Sequence, residues 1–171
     1  IANLEQAYAS WVEARRELEA LPVSLYWVEK AGAEYLGVKR NSRDNGTTLG
    51  RRSVETTSQY EAFIETKQQL KSRLAALDAQ LAERVGLFRR LRLPALPDRQ
   101  AEILRRLDIE GMLGTDLMEV GTNAFAAYEL ACGARLPVGN EETEDFDLAW
   151  CRYTKAALVV NGSAGWLELV S

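Results

Sequence analysis

Two carboxylates set two residues apart, Asp145 and Asp147, lie in Thr143-Glu144-Asp145-Phe146-Asp147-Leu148-Ala149-Trp150, a run that otherwise reads as a β-strand. Alternate residues of a strand project to the same side, so the two acids face one way and Glu144 the other. Paired oxygen ligands of this kind hold a hard divalent cation such as Mg²⁺. Upstream, the apolar run Leu117-Met118-Glu119-Val120 stops at Gly121 and passes through Thr122 into a helix-like stretch from Asn123 to Leu130. A strand, a glycine bend and a helix N-terminus gather backbone N–H groups toward one point, which suits a phosphate. Phosphate donors facing paired carboxylates are what phosphoryl or nucleotidyl transfer requires, because a metal must bridge acidic side chains and triphosphate oxygens. Taken on residues alone, the acids also fit an exposed acidic strand, and Gly121-Thr122 also fits a plain turn with a helix N-cap.

The order Gly-Thr/Ser, helix, then Thr/Ser-Glu-Asp-Phe/Ile-Asp-Leu, carried here by residues 121–148, resembles the nucleotidyltransferase superfamily of the DNA polymerase β type. Within it, the sequence is most similar to a bacterial branch of nucleotidyltransferase-fold proteins. The resemblance is centred on residues 117–150 and extends more weakly over most of the chain. It implies a small mixed sheet with flanking helices and a site holding two Mg²⁺ ions. Asp145 and Asp147 would be the first two ligands. Glu168, in Trp166-Leu167-Glu168-Leu169, stands where the family carries Asp on a later strand, one methylene longer. Gly121, Thr122 and Asn123 would bind the phosphates of a nucleoside triphosphate. The implied reaction is transfer of a nucleoside monophosphate to an acceptor hydroxyl on RNA, a protein or a small molecule. Two alternatives stay open: a nucleotidyltransferase fold that binds without turnover, and a helical assembly protein. Whether the chain is an enzyme, a nucleotidyltransferase if active, stays open with them. The step from Gly121 to Asp145 exceeds that of compact superfamily members, and the family usually carries helices after its sheet. The core is therefore expected to be incomplete at Ser171, or to have its base and acceptor pockets built elsewhere.

Composition narrows the chemistry further. The 171 residues hold no histidine and two cysteines, Cys132 and Cys151, without metal-binding spacing. That removes zinc sites and His-dependent nucleophiles from within this chain and leaves carboxylates, Lys or Tyr for proton transfer. The thiols read as small buried side chains. No apolar run reaches membrane-spanning length and nothing at Ile1 resembles a signal peptide, so a cytoplasmic protein trimmed at its N-terminus, with no membrane partner, is expected. Charge is uneven: residues 1–96 carry 15 basic against 12 acidic side chains, and residues 97–171 carry 6 against 13. A mildly basic half joined to an acidic half fits a metal site beside a surface for an anionic partner.

The elements that would position these groups read as an α+β chain in two domains: 1–96, a helix and hairpin appendage, and 97–171, a nucleotidyltransferase-like core. Asn3 with Gln6 predicts a capped helix over about 4–20, ended by Pro22. Residues 24–40 predict an aromatic β-hairpin around Ala31-Gly32, followed by a polar loop to Ser53. Lys39, Arg40, Arg43, Arg51 and Arg52 on and around that loop are candidates for contact with RNA or another nucleic acid, or for simple pairing with nearby acids. Ser53 or Thr56 caps a long helix over about 54–91, whose stripe runs Tyr60, Phe63, Lys67, Leu70, Leu74, Leu77, Leu81, Val85, Phe88 and Leu91, with Lys67 its only charge. At 1.5 Å per residue it spans roughly 55 Å, so it needs the first helix, the same helix of a second copy in a homodimer, or both. Leu93-Pro94-Ala95-Leu96-Pro97 predicts the linker, and Asp98 a cap for a helix closed by Gly111 and Gly114. Short apolar runs flanking Asn161-Gly162 predict a last hairpin.

Overall fold

The computed structural model describes residues 2–135 and 146–151. Within it the chain is α+β and forms two compact units, residues 1–91 and 92–171. No helix among the described residues is long and apolar enough to cross a membrane.

The first unit begins with helix α1 (Ala2–Ala20) and an antiparallel sheet of β1 (Ser24–Lys30), β2 (Ala33–Lys39) and β3 (Thr47–Arg51), in the order β1-β2-β3. Ala31 and Gly32 both take positive φ, 50° and 72°, which closes the hairpin with a two-residue turn whose twist matches the strands. The stretch expected to be loop up to Ser53 yields a third strand instead. Thr47, Thr48 and Leu49 suit a pleated edge, and an irregularity opposite Leu36 and Gly37 absorbs one extra residue.

Helix α2 (Val54–Arg90) starts at Ser53, not Thr56. The Ser53 hydroxyl accepts from the Thr56 amide at 3.2 Å and Thr56 Oγ1 accepts from the Ser53 amide at 2.8 Å, a reciprocal cap. α1 and α2 run antiparallel: Trp11 Nε1 donates to Asp78 Oδ1 at 2.7 Å, Arg73 reaches Glu13 at 3.1 Å and Glu17 at 3.5 Å, and Arg84 donates to the Asn3 carbonyl. Ala7, Val12, Ala14, Phe63, Leu70 and Leu74 are buried in this unit; a fully buried Leu side chain stabilises by about 1.5–3 kcal/mol. The exposed ion pairs along the seam add much less. The one charge in the stripe, Lys67, sits just beyond the end of α1. Its ammonium lies 5.1 Å from the Phe63 ring centroid and donates to the carbonyls of Pro22 and Val23. Burial, followed by the neighbouring Lys71, lowers its pKa.

The second unit contains α3 (Asp98–Ile109), β4 (Leu117–Val120), a 3₁₀ turn (Thr122–Ala124), α4 (Phe125–Cys132) and β5 (Asp147–Trp150). Asp98 is the first helical residue of α3 and Pro97 takes the cap position, without a side-chain cap. Gly111 and Gly114 have positive φ, and the Leu107 carbonyl accepts from the amides of Met112 and Leu113, closing the helix. β4 and β5 pair antiparallel, Leu117 with Trp150 through Val120 with Asp147, and the Cys151 amide extends the ladder to the Asp116 carbonyl at 2.8 Å. Leu107, Leu117 and Ala124 are buried here. Cys132 is exposed, contrary to its reading as a buried thiol, because it closes the short α4 on an outer face; Cys151 is half-buried. The expected hairpin around Asn161 lies outside the described residues.

Candidate active site

The antiparallel register brings the C-terminal end of β4 beside the N-terminal end of β5. Gly121 follows Val120 directly, and Val120 is paired with Asp147. Gly121 has φ 76° and ψ −156°, a region essentially confined to glycine. Its missing side chain matters for a second reason: a Cβ there would lie 2.7 Å from Asp147 Oδ2. The Asp147 carboxylate thus occupies the space beside the bare backbone of the bend, and the residue remains exposed. Alternation places Asp147 with Met118, Val120 and Ala149 on one face, and Leu117, Glu119, Leu148 and Trp150 on the other.

Beyond Gly121 the chain turns at once into the 3₁₀ segment. The Ala124 amide donates to the Gly121 carbonyl at 3.2 Å and the Phe125 amide to the Thr122 carbonyl, so those two donors are consumed within the turn. Thr122 and Asn123 are half-buried, and no side chain caps this turn or α4, so Thr122 is not the N-cap that a plain turn reading offers. Of the remaining candidates, Asp145 and Glu168 lie outside the described residues. Among the described residues no cluster of three or more potential ligands for a metal forms. Of the acidic candidates, the one among the described residues, Asp147, presents an exposed carboxylate next to a glycine cradle, which fits one ligand position of a Mg²⁺ site.

Glu119, which the spacing did not single out, lies two residues before the bend on the opposite face. Its Oε1 is buried and has no hydrogen-bond partner among the described residues, and burial raises its pKa. Residue pattern marked it only as an acid inside an apolar strand.

The five basic candidates divide. Arg52 Nη1 donates to Glu34 Oε2 at 2.5 Å and its guanidinium lies 5.0 Å from the Trp27 ring centroid, on the sheet face whose Trp27 meets Tyr60 of α2. Lys39, Arg40, Arg43 and Arg51 are exposed and make no salt bridge among the described residues.

The model of a family described as nucleotidyltransferase matches residues 98–168, a span that includes α3, the Gly121 bend and the Asp145–Asp147 pair. The match supports a nucleotidyltransferase-type protein. No curated protein and no solved structure matches the chain.

Proposed function

We propose that the chain is a Mg²⁺-dependent nucleotidyltransferase that moves a nucleoside monophosphate from a nucleoside triphosphate to an acceptor hydroxyl. The observation that carries this reading is the Asp147 carboxylate lying against the side-chain-free backbone of Gly121. An acidic group and a bend able to admit phosphate then share one end of one sheet. The backbone of Gly121 would let the β- and γ-phosphates approach, the Thr122 hydroxyl would donate to them, and Asn123 would add an amide donor. Asp147 would hold metal together with Asp145, two residues earlier, and with Glu168 as the third acid. Bound there, Mg²⁺ supplies neutralisation of triphosphate charge and acidification of the acceptor hydroxyl. The acceptor oxygen forms a bond to the α-phosphorus, the bond from that phosphorus to the β-phosphate oxygen breaks, and pyrophosphate leaves with the electron pair. The proton of the acceptor passes to a carboxylate or to solvent, since the chain has no histidine. The acceptor is an RNA, a protein or a small molecule, and a homodimer through α2 is a further proposal for the assembly.

The test is incubation with Mg²⁺ and each of the four α-labelled triphosphates in the presence of RNA and protein acceptors, comparing the native chain with Asp145→Ala and Asp147→Ala. The reading expects label transfer that falls at least about 100-fold in either variant, the scale of losing an electrostatic partner at a reacting phosphate. Transfer that survives in both variants, or label transfer by none of the chains, contradicts it.

A further inference from the structure

The first unit carries a surface that the transfer reading does not use. β1 and β2 alternate so that Leu25, Trp27 and Glu29 face the α2 side, while Tyr26, Val28 and Lys30 face away from it. On β2 the outward set is Tyr35, Gly37 and Lys39, and across β3 their partners are Arg51 and Thr48. Two observations show how this outer face is built. A Cβ at Gly37 would meet Tyr26 Cζ at 2.6 Å, and one at Gly46 would meet the Tyr26 hydroxyl at 2.2 Å. The Tyr26 ring therefore lies across β2 in the space those two glycines leave open. Lys30 lies across the same face, donating to Thr48 Oγ1 at 3.2 Å.

Charge on this face has one sign. Lys30, Lys39 and Arg51 belong to it, and Arg40 and Arg43 follow in the β2–β3 connection. Glu29 and Glu34, paired with each other, fall on the opposite side with Arg52. The single acid of the connection, Asp44, is committed to its own turn: its carboxylate accepts from the amides of Arg40 and Gly46, each at 2.8 Å. Tyr35 stands diagonal to Tyr26 in the register, which puts the two rings on the same face at roughly 7–8 Å between backbones.

We propose that this outer sheet face binds single-stranded nucleic acid, with Tyr26 and Tyr35 as stacking surfaces and Lys39, Arg40, Arg43 and Arg51 as phosphate contacts. Aromatic rings on an open sheet flanked by cations accept unstacked bases, whereas a duplex hides its bases and offers only phosphates. The site rests on the first unit alone and is independent of the transfer reading. Binding and label transfer are separate readouts, and either can fail without the other.

The experiment is fluorescence anisotropy of the full chain with labelled 15-mer oligouridylate and oligothymidylate, the matching duplex, heparin and phosphatidylserine vesicles, over a salt series. The site predicts binding to one or both single strands at least tenfold tighter than to the duplex; the preferred single strand tells RNA from DNA. Lys39→Ala with Arg51→Ala lowers affinity and reduces the magnitude of the salt slope by about 1.4, near 0.7 per cation. Tyr35→Leu weakens binding about tenfold with an unchanged salt slope. Both are exposed or half-exposed substitutions, and circular dichroism checks that each variant is folded. Equal affinity for duplex or heparin, preference for the vesicles, no binding at low salt, or unaltered affinity in the folded variants overturns the proposal.

Discussion

At the scale of single residues, Gly121 is where backbone and chemistry coincide. Its φ and ψ tax any other residue by about 1–3 kcal/mol, and a Cβ would collide with the carboxylate of Asp147. Gly121→Ala is expected to lower stability by that amount and to displace Asp147, which chemical denaturation and a triphosphate-binding titration read separately. Glu119 offers a pH-dependent test. Burial raises its pKa above the ordinary value of 4.5, so the folded chain holds this proton more tightly than the unfolded chain does. Stability therefore falls as pH rises through and above 4.5, where the unfolded carboxyl has ionised and the folded one resists. Glu119→Gln should raise the midpoint of thermal unfolding at pH 7 and bring no gain near pH 3.5; equal shifts at both values would exclude burial as the cause. Asp147 and Gly121 were legible in the sequence because strand alternation and a glycine after an apolar run are local signals. Glu119 was not, because its burial depends on what covers that side of β4.

At the scale of elements, helices were easier to read than strands. The stripe from Tyr60 to Leu91 and the serine before it are periodic and local, and they predict α2 to within a residue at each end. Lys67 breaks that stripe because it answers the carbonyls at the end of α1, a partner more than forty positions away in sequence. β3 was hidden for a related reason. Thr47–Arg51 lies among turn residues, and only its pairing with β2 makes it a strand. The β1–β2 turn contains a residue whose type and conformation disagree. Ala31 has φ 50°, a left-handed conformation that costs a residue with a Cβ about 1–2 kcal/mol and that Asn tolerates better. Ala31→Asn should therefore stabilise the first unit by about 0.5–1 kcal/mol in urea denaturation, and a loss of stability would show that this turn is not of the two-residue primed kind.

At the scale of the whole molecule, the chain divides after Leu91, where α2 ends and Arg92 enters a non-helical stretch with φ 51°. Two prolines follow before α3, and they cannot donate hydrogen bonds. Limited trypsin digestion followed by mass spectrometry should cut after Arg92 before it cuts at Lys71, Arg73 or Arg84 within α2; earlier cleavage inside the helix would deny the division. The basic sheet belongs to the first unit, and the nucleotidyltransferase match and the Asp147–Gly121 pair belong to the second. The most direct measurement of the central claim is calorimetric titration of the native chain, Asp147→Asn and Gly121→Ala with ATP, GTP, CTP and UTP, each with and without Mg²⁺. If the bend and the carboxylate form one site, the native chain binds at least one triphosphate only with the metal, and each substitution weakens that binding about tenfold or more. Metal-independent binding, or binding that both folded variants retain, would show that Asp147 and Gly121 are neighbours without a shared ligand.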